Sequence, residues 1–254
     1  MDKLRFVELF AGIGGFSLGF ERAGMECVGH VEIEPYAQKV LLKHWPDVPL
    51  MEDVKDVKGT EFGQVDLLCG GFPCQDLSVA GNQAGFHNKD GSQTRSGLYD
   101  EIIRIAGVCR PKYIVLENVA NLLSRPDWFG YVLGRLAEIG FDVEWEIIRA
   151  SDVGLPHLRE RVFVVGCSNS LGFKNSTKDQ ISGLGGLQGE LYRSLEEIGE
   201  RWNVCKPFTY RSGHGIPNWA HRLKCIGNAL VPQIAEYIGQ CILEREKVIT
   251  YLSD

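Results

Sequence analysis

The sequence predicts an α/β protein with a doubly wound, mainly parallel sheet and a small appended region of poor periodicity. Short apolar runs alternate along the chain with amphipathic stretches of helical period, a pattern typical of parallel strands covered by helices on both faces. A glycine-rich run follows the first apolar run and leads into the first amphipathic stretch. The chain has 254 residues, of which 44% are hydrophobic, enough to bury a substantial core. These observations favour a Rossmann-like architecture.

The strands and helices are expected in an alternating order. Six strands are predicted from short runs rich in apolar and β-branched residues: Arg5 to Leu9, Cys27 to Glu32, Val65 to Cys69, Tyr113 to Glu117, Val143 to Ile148 and Val162 to Gly166. Helices are predicted from 3.6-residue periodicity at Phe16 to Ala23, Tyr36 to His44, Tyr99 to Val108 and Tyr131 to Ile139, with a last one beginning near Val231. A further short strand is expected to end at Asp53.

Three regions are expected along the chain. Residues 1–166 carry the alternating pattern and form the core. After Gly166 the sequence is rich in Gly, Ser, Asn and Lys and lacks clear periodicity, so residues 167–206 form a separate short region. Residues 207–254 form a C-terminal segment whose helix is expected to pack back on the N-terminal half of the core.

Composition excludes several classes of protein. None of the eight cysteines forms a C-x-x-C pair, so neither a zinc ribbon nor a thioredoxin-type motif is present, and no metal site is predicted. Reduced thiols and a cytoplasmic location are expected. The sequence has no run of the ~20 apolar residues that a membrane span needs, and MDKLRFVELF leads into a strand rather than a signal peptide. The net charge of −6 argues against coating of nucleic acid through bulk charge, and leaves room for a local basic cleft.

The first loop indicates an adenosyl cofactor. The run FAGIGG follows the first strand, and Glu32 ends the second strand twenty residues beyond Gly12. Glycines let the backbone approach a ligand, the N-terminus of the next helix offers N–H groups, and an acid at the second strand end can bind ribose hydroxyls. Asp53 is in position to meet an adenine edge, or is an ordinary loop aspartate. Ser17 occupies the last position of the dinucleotide pattern G-x-G-x-x-G/A. A glycine-rich turn without a ligand remains an alternative.

Cys74 is a candidate nucleophile. It follows the apolar run Val65 to Cys69 in GGFPCQDLSVAG, where the glycines are expected to turn the backbone sharply at the carboxyl end of the strand, the usual place for ligands in open α/β sheets. A buried structural cysteine is the alternative. The long polar loop that follows is expected to act as a lid over substrate, with Ser78 and Arg95 as phosphate contacts. The alternative for each of these two side chains is a solvated loop position without a phosphate contact.

Charged side chains mark two further strands. Glu117 ends the apolar strand that begins at Tyr113, and burial there would raise its pKa and let it donate a hydrogen bond to a ring nitrogen. Arg159 and Arg161 precede the apolar strand that begins at Val162 and point to one face, where they could lower the pKa of a cysteine or hold an anionic or carbonyl-bearing substrate. A helix-capping glutamate and solvated arginines are the alternatives.

Taken together, these runs resemble the DNA (cytosine-5) methyltransferases of bacteria and phages. The resemblance lies in FAGIGGFSLGFERAG, the strand end at Glu32, GGFPCQDLSVAG, LENVANLL, GLPHLRERVFVVG and RLKCIGNALVPQIA, in the order of the family. It implies Cys74 as nucleophile, Glu117 as the acid at cytosine N3, and Arg159 and Arg161 as supporting catalytic residues. It also implies S-adenosyl-L-methionine as cofactor, bound by Phe10, Gly12, Gly14, Glu32, Ile33, Asp53, Pro73, Leu98, Asn228 and Leu230.

The resemblance implies methyl transfer to C5 of a cytosine flipped out of duplex DNA, through a covalent adduct with Cys74. The chain departs from the family at His157, where glutamine is usual, and in the shortness of residues 167–206, the region that corresponds to target recognition. A target-recognition partner or a cognate restriction endonuclease is therefore a candidate partner. A tRNA cytosine-C5 methyltransferase, a non-catalytic cofactor-binding regulatory subunit and, more remotely, a dinucleotide oxidoreductase are the alternatives.

Overall fold

The computed structural model of the chain describes residues 2–73, 96–169 and 225–253. These residues fall into two compact units. The first unit holds residues 2–73, 100–111 and 225–253, and the second holds residues 96–99 and 112–169. Each unit is built around its own set of neighbouring strands.

The first unit is a parallel α/β layer. Its strands are β1 (Arg5–Leu9), β2 (Glu26–Val31), β3 (Leu50–Met51) and β4 (Leu67–Gly71), and its helices are α1 (Gly15–Ala23), α2 (Pro35–His44) and, apart from its first residue, α3 (Tyr99–Cys109). The strand order is β3-β2-β1-β4, with all neighbours parallel. The chain thus proceeds outward from β1 to β3 and then returns to the other side of β1. Such a reversal creates a crevice at the carboxyl ends of the strands, where open α/β sheets bind ligands.

The second unit contains an antiparallel group of strands. It comprises β5 (Tyr113–Val119), α4 (Pro126–Glu138), β6 (Phe141–Arg149) and β7 (Glu160–Ser168). The order is β5-β7-β6, and β7 runs antiparallel to both neighbours. The parallel pairing expected from the sequence is therefore observed in the first unit, whereas β7 is reversed.

The C-terminal helix α5 (Pro232–Ser253) packs against α1 in the first unit, as predicted. The two helices approach closely at two glycines. A Cβ at Gly19 would overlap the carbonyl oxygen of Pro232, and one at Gly239 would lie 2.9 Å from the Cβ of Ala23. Although α5 is 22 residues long, neither it nor any other helix within the described ranges is both long and apolar enough to span a bilayer.

Three predicted boundaries differ from the structure for physical reasons. Gly70 and Gly71 do not form the expected sharp turn but lie inside β4. A Cβ at Gly70 would overlap the carbonyl oxygen of Leu9, so close approach to β1 explains the glycine. β5 continues past Glu117 to Val119, and α4 begins early because Pro126 occupies its first turn, where proline suits a helix.

Candidate active site

The loop between β1 and α1 has a backbone that leaves room beside it. Phe10 and Gly12 have φ angles of +53° and +55°, and Gly14, which precedes α1, has φ of +82°. A Cβ at Gly12 would meet no atom within 4 Å, whereas one at Gly14 would lie 2.5 Å from the ring of Trp45. The loop is therefore covered by Trp45 at Gly14 and open at Gly12. We call residues 10–15 the cofactor loop.

Glu32 lies immediately after β2 and holds this loop through a hydrogen bond. Its side chain is 8% exposed. One carboxylate oxygen accepts from the backbone N–H of Gly12 at 2.6 Å, and the other accepts from that of Glu34 at 2.7 Å. A carboxylate oxygen can accept a second hydrogen bond, so these contacts leave capacity for ribose hydroxyls. The next side chain, Ile33, is 67% exposed and offers an apolar surface beside Glu32.

The other predicted cofactor residues of the first unit lie on neighbouring segments. Asp53 follows β3 and accepts a hydrogen bond from the backbone N–H of Lys55 at 3.0 Å, which caps a short 3₁₀ turn. Pro73 follows β4. The segment before α5 reaches α1, since a Cβ at Gly15 would lie 2.8 Å from the Cβ of Leu230. Asn228 lies two residues earlier and is exposed. Leu98 belongs to the second unit.

A buried polar cluster beneath the cofactor loop was not predicted from the sequence. Glu8, in the middle of β1, lies opposite His30 on β2, and both are almost fully buried. Glu8 accepts hydrogen bonds from the backbone N–H of Phe16 at 3.1 Å and from the N–H and hydroxyl of Ser17 at 2.8 and 2.5 Å. The hydroxyl of Ser17 also lies 2.8 Å from Nε2 of His30. These N–H groups of α1 are therefore occupied, contrary to the expectation that the helix N-terminus is free for a ligand.

Burial changes the ionisation of this cluster in opposite directions. Burial raises the pKa of Glu8 from 4.5 to about 7, although the hydrogen bonds from Ser17 and Phe16 lower it. Burial lowers the pKa of His30 from 6.5 to about 4. The signal that could have revealed the cluster is an acid inside the apolar run RFVELF, because a buried carboxyl needs hydrogen-bond donors.

The second unit brings together three of the predicted catalytic side chains. In the β5–β7 pair, Glu117 faces Phe163 and Val119 faces Arg161, so Arg161 reaches Glu117 diagonally on one face. Nε of Arg161 lies 2.8 Å from Oε1 of Glu117, and the two side chains are 23% and 14% exposed.

The ionisation of Glu117 reflects this environment. Burial raises its pKa, as expected from the sequence, while the guanidinium groups of Arg161 and Arg159 lower it. A buried carboxyl held between these opposing effects can carry or release a proton without large rearrangement. The arrangement suits hydrogen bonding to a ring nitrogen, with the arginines as orienting and charge-balancing groups.

Three predicted residues lie outside the described part of the chain: the nucleophile Cys74 and the phosphate contacts Ser78 and Arg95. Their assignments stay predictions. His157, the position that departs from the family pattern, is exposed, and its backbone N–H donates to the carbonyl of Leu155.

The chain is similar to known proteins over most of its length. The model of the family described as C-5 cytosine-specific DNA methylase matches residues 4–211. The chain is 35% identical over 177 residues to the type II methyltransferase M.HhaI of Haemophilus parahaemolyticus, a match that covers 69% of this chain and 52% of that protein. It is 30% identical over 293 residues to the type II methyltransferase M.BanI of Aneurinibacillus aneurinilyticus, covering 97% of this chain and 65% of that protein.

Solved structures share the fold. The Dnmt2 methyltransferase of S. pombe superposes with a TM-score of 0.56 at 22% identity, covering 72% of this chain and 55% of that one. This likeness concerns the fold and confirms the Rossmann-like prediction. The present chain spans about half the length of M.HhaI and about two thirds of M.BanI.

Proposed function

The chain belongs to the C-5 cytosine-specific DNA methylase family, and we propose that it transfers a methyl group from S-adenosylmethionine to C5 of cytosine in DNA. The observation that best supports this activity is the buried carboxyl of Glu117, 2.8 Å from Arg161. Cytosine N3 takes up charge when a nucleophile adds at C6, and a carboxyl whose pKa is raised by burial can protonate it.

The first unit fits the proposed cofactor. S-adenosylmethionine supplies an activated methyl group when it is bound. The open space beside Gly12 admits a ligand against the backbone, Glu32 keeps acceptor capacity for ribose hydroxyls, and the exposed Ile33 offers an apolar face to the adenine. The proposed cofactor-binding set is completed by Phe10, Gly14, Asp53, Pro73, Leu98, Asn228 and Leu230.

The chain's own residues would activate the ring. C5 of cytosine is a poor nucleophile, and we assign Cys74 to add as a thiolate to C6, forming a carbon–sulfur bond. The ring electron pair displaced by this addition moves toward N3, which takes a proton from Glu117. A free thiol has a pKa of ~8.5, so positive charge from Arg159 or Arg161 would favour the reactive thiolate.

The second half of the reaction restores the aromatic ring. Glu117 takes back the proton from N3, and the electron pair returns to C5, which would form the new carbon–carbon bond to the methyl group as the bond from that group to the sulfonium breaks and S-adenosylhomocysteine leaves. Loss of the C5 proton to a base and departure of the Cys74 thiolate then complete the substitution. A stacked base is out of reach of these groups, so the cytosine must leave the duplex, at a cost of a few kcal/mol.

We assign substrate contacts and partners on the same basis. Ser78 and Arg95 would contact the phosphate backbone of duplex DNA, and residues 167–206 would contribute target recognition. A separate target-recognition partner or a cognate restriction endonuclease fits the shortness of that region. We place the activity in the cytoplasm, where DNA and reduced thiols coexist.

The test uses a mechanism-based trap. Duplex DNA, single-stranded DNA and tRNA that contain 5-fluorocytosine are incubated with the protein and S-adenosylmethionine, and adducts are mapped by mass spectrometry. Fluorine at C5 blocks the final elimination and leaves the protein covalently attached. Cys74→Ser should abolish the adduct, while the matched control Cys109→Ser should keep it, because burial raises the pKa of Cys109 to about 11 and no role is assigned to it.

Each outcome has a defined meaning. An adduct between Cys74 and duplex DNA supports the proposed substrate, reaction and nucleophile together. An adduct on tRNA alone would replace DNA by RNA as the substrate. Absence of any adduct, in a protein that binds S-adenosylmethionine, would favour the regulatory-subunit alternative.

A further inference from the structure

The cofactor loop is attached to the sheet by side chains to which the proposed reaction assigns no part. Glu8 on β1 accepts hydrogen bonds from two backbone N–H groups in the first turn of α1, those of Phe16 and Ser17. The cofactor loop connects this strand directly to this helix. The position of the helix start therefore depends on the carboxylate of Glu8.

A second link reaches the same helix turn from β2. Nε2 of His30 lies 2.8 Å from the hydroxyl of Ser17, which in turn lies 2.5 Å from Glu8. When Glu8 is ionised, the Ser17 hydroxyl donates to it and accepts from the Nε2–H of a neutral His30, so the hydroxyl links the two side chains. The three side chains are at most 2% exposed, and water cannot replace these bonds without opening the core.

His30 also supports the loop through an aromatic contact. Its ring meets that of Trp45 edge to face, with the centroids 5.4 Å apart, and Trp45 covers Gly14. The indole N–H of Trp45 donates to Glu21 on α1 at 2.8 Å. His30 thus touches both the start of α1 and the residue that packs on the loop.

We infer that Glu8, Ser17 and His30 form a positioning relay that holds the cofactor loop in its binding geometry. The relay does not touch the cofactor. It acts by fixing the first turn of α1, and hence the loop that ends there. This inference deepens the proposed function and rests on it, since it concerns the affinity of the proposed cofactor site.

The ionisation of Glu8 gives the relay a pH dependence that simple packing would lack. As an anion, Glu8 accepts from all three donors, but as an acid it must donate one proton and its bond with the Ser17 N–H weakens. The other titratable groups that face it are Cys27, His30 and Glu32 on or after β2 and Cys69 on β4. Cys27 and His30 titrate at about 12 and about 4, and burial raises the pKa of Cys69 well above 9. Between pH 6 and 8 these three groups stay neutral.

The experiment measures binding of S-adenosylhomocysteine, a non-reactive analogue of the cofactor, by titration calorimetry between pH 6 and 8. With a pKa of about 7 for Glu8, wild-type affinity should fall about tenfold from pH 8 to pH 6 as the competent fraction falls. Glu8→Gln presents an amide donor to one N–H of α1, and it should weaken binding about tenfold at pH 8 and remove the pH dependence. A pH dependence that survives unchanged in Glu8→Gln would overturn the relay.

Two further variants separate positioning from general stability. His30→Phe keeps an aromatic ring but loses the donor to Ser17, and should weaken binding several-fold. His30→Gln carries an N–H near the position of Nε2 and should restore it. The matched control is Asp66→Asn, because Asp66 is also buried and accepts a backbone N–H of β1, that of Arg5 at 3.0 Å, at the far end of the strand. It should leave cofactor affinity unchanged even if it lowers stability.

Hydrogen exchange of the ligand-free protein provides an independent readout. The Phe16 and Ser17 amides should exchange faster in Glu8→Gln than in wild type or Asp66→Asn. Wild-type affinity and pH profile in Glu8→Gln would overturn the inference while leaving the proposed function intact. A wild-type protein that binds no S-adenosylhomocysteine would refute the proposed function, and the inference with it.

Discussion

The effects of Glu8 and His30 on the pH dependence of the unfolding free energy should cancel in the wild-type protein. The buried carboxyl titrates at about 7 and the buried imidazole at about 4. At pH 5.5 the folded state keeps a proton on Glu8 and none on His30, whereas in the unfolded chain the proton resides on the histidine. Unfolding then moves a proton between the two residues without net uptake, so wild-type stability gains no pH dependence from this pair in that range.

Replacing one of the two residues should reveal how the other makes the unfolding free energy depend on pH. For Glu8, the pKa is raised in the folded state, so stability is greatest below pH 4.5 and is lost as pH rises to about 7. For His30, the pKa is lowered, so stability is greatest above pH 6.5 and is lost as pH falls to about 4. At about 1.4 kcal/mol per pH unit, each effect amounts to about 3 kcal/mol.

Urea denaturation of the wild type, Glu8→Gln and His30→Gln between pH 4 and 8 measures these slopes. Relative to wild type, His30→Gln should lose about 3 kcal/mol of unfolding free energy as pH rises from 4 to 6.5, and Glu8→Gln should lose a similar amount as pH falls from 7 to 4.5. Slopes shared by all three proteins come from other groups and cancel in the comparison. Parallel pH profiles for the three proteins would refute the compensation.

Three other predictions concern catalysis and helix packing. Cys74→Ser should abolish methyl transfer while S-adenosylmethionine binding survives, as measured by radiolabel transfer and calorimetry; retained turnover would remove Cys74 as the nucleophile. Arg161→Gln removes a charge that lowers the pKa of Glu117, so the alkaline limb of kcat/KM against pH should move to higher pH; an unchanged limb would argue against Glu117 as the acid. Gly107→Ala should raise the unfolding free energy by about 0.5–1 kcal/mol, because a Cβ at Gly107 meets no atom within 4 Å. Gly15→Ala should lower the unfolding free energy, because its Cβ would lie 2.8 Å from the Cβ of Leu230. Thermal denaturation of the two variants measures both effects.

Local pattern was sufficient to predict the strands and the longer helices, although several of their boundaries differ in the structure. The run RFVEL combines Phe6, Val7 and Leu9 with two charged residues, and β1 occupies it as predicted, from Arg5 to Leu9. Glu32 is predicted as a site residue because an acid that directly follows a buried strand is a recognisable signal, and the structure places it immediately after β2. Glu117 is predicted for the same reason, although β5 continues two residues beyond it.

Contacts between distant segments could not be predicted in this way. Ser17 and His30 are thirteen residues apart in sequence, and their contact depends on the parallel register that places Glu8 opposite His30. Gly70 was interpreted as a turn residue, because its real constraint, the carbonyl of Leu9, belongs to another strand. Sequence pattern therefore locates single residues at strand ends, while the relay beneath them requires knowledge of the pairing.

The relay also explains why the cofactor loop suits S-adenosylmethionine better than a dinucleotide. A dinucleotide places its pyrophosphate on the free N–H groups of the first helix N-terminus. In this chain the N–H groups of Phe16 and Ser17 already donate to the carboxyl of Glu8. A phosphate brought to that helix turn would have to displace a buried carboxylate or share donors with it, against the repulsion of like charges. S-adenosylmethionine carries no phosphate and so does not compete with Glu8, and Glu32, the proposed acceptor for its ribose, lies at the end of the next strand. The relay also explains why Ser17 occupies the position of the third glycine in the dinucleotide pattern, because the hydroxyl of Ser17 joins Glu8 to His30.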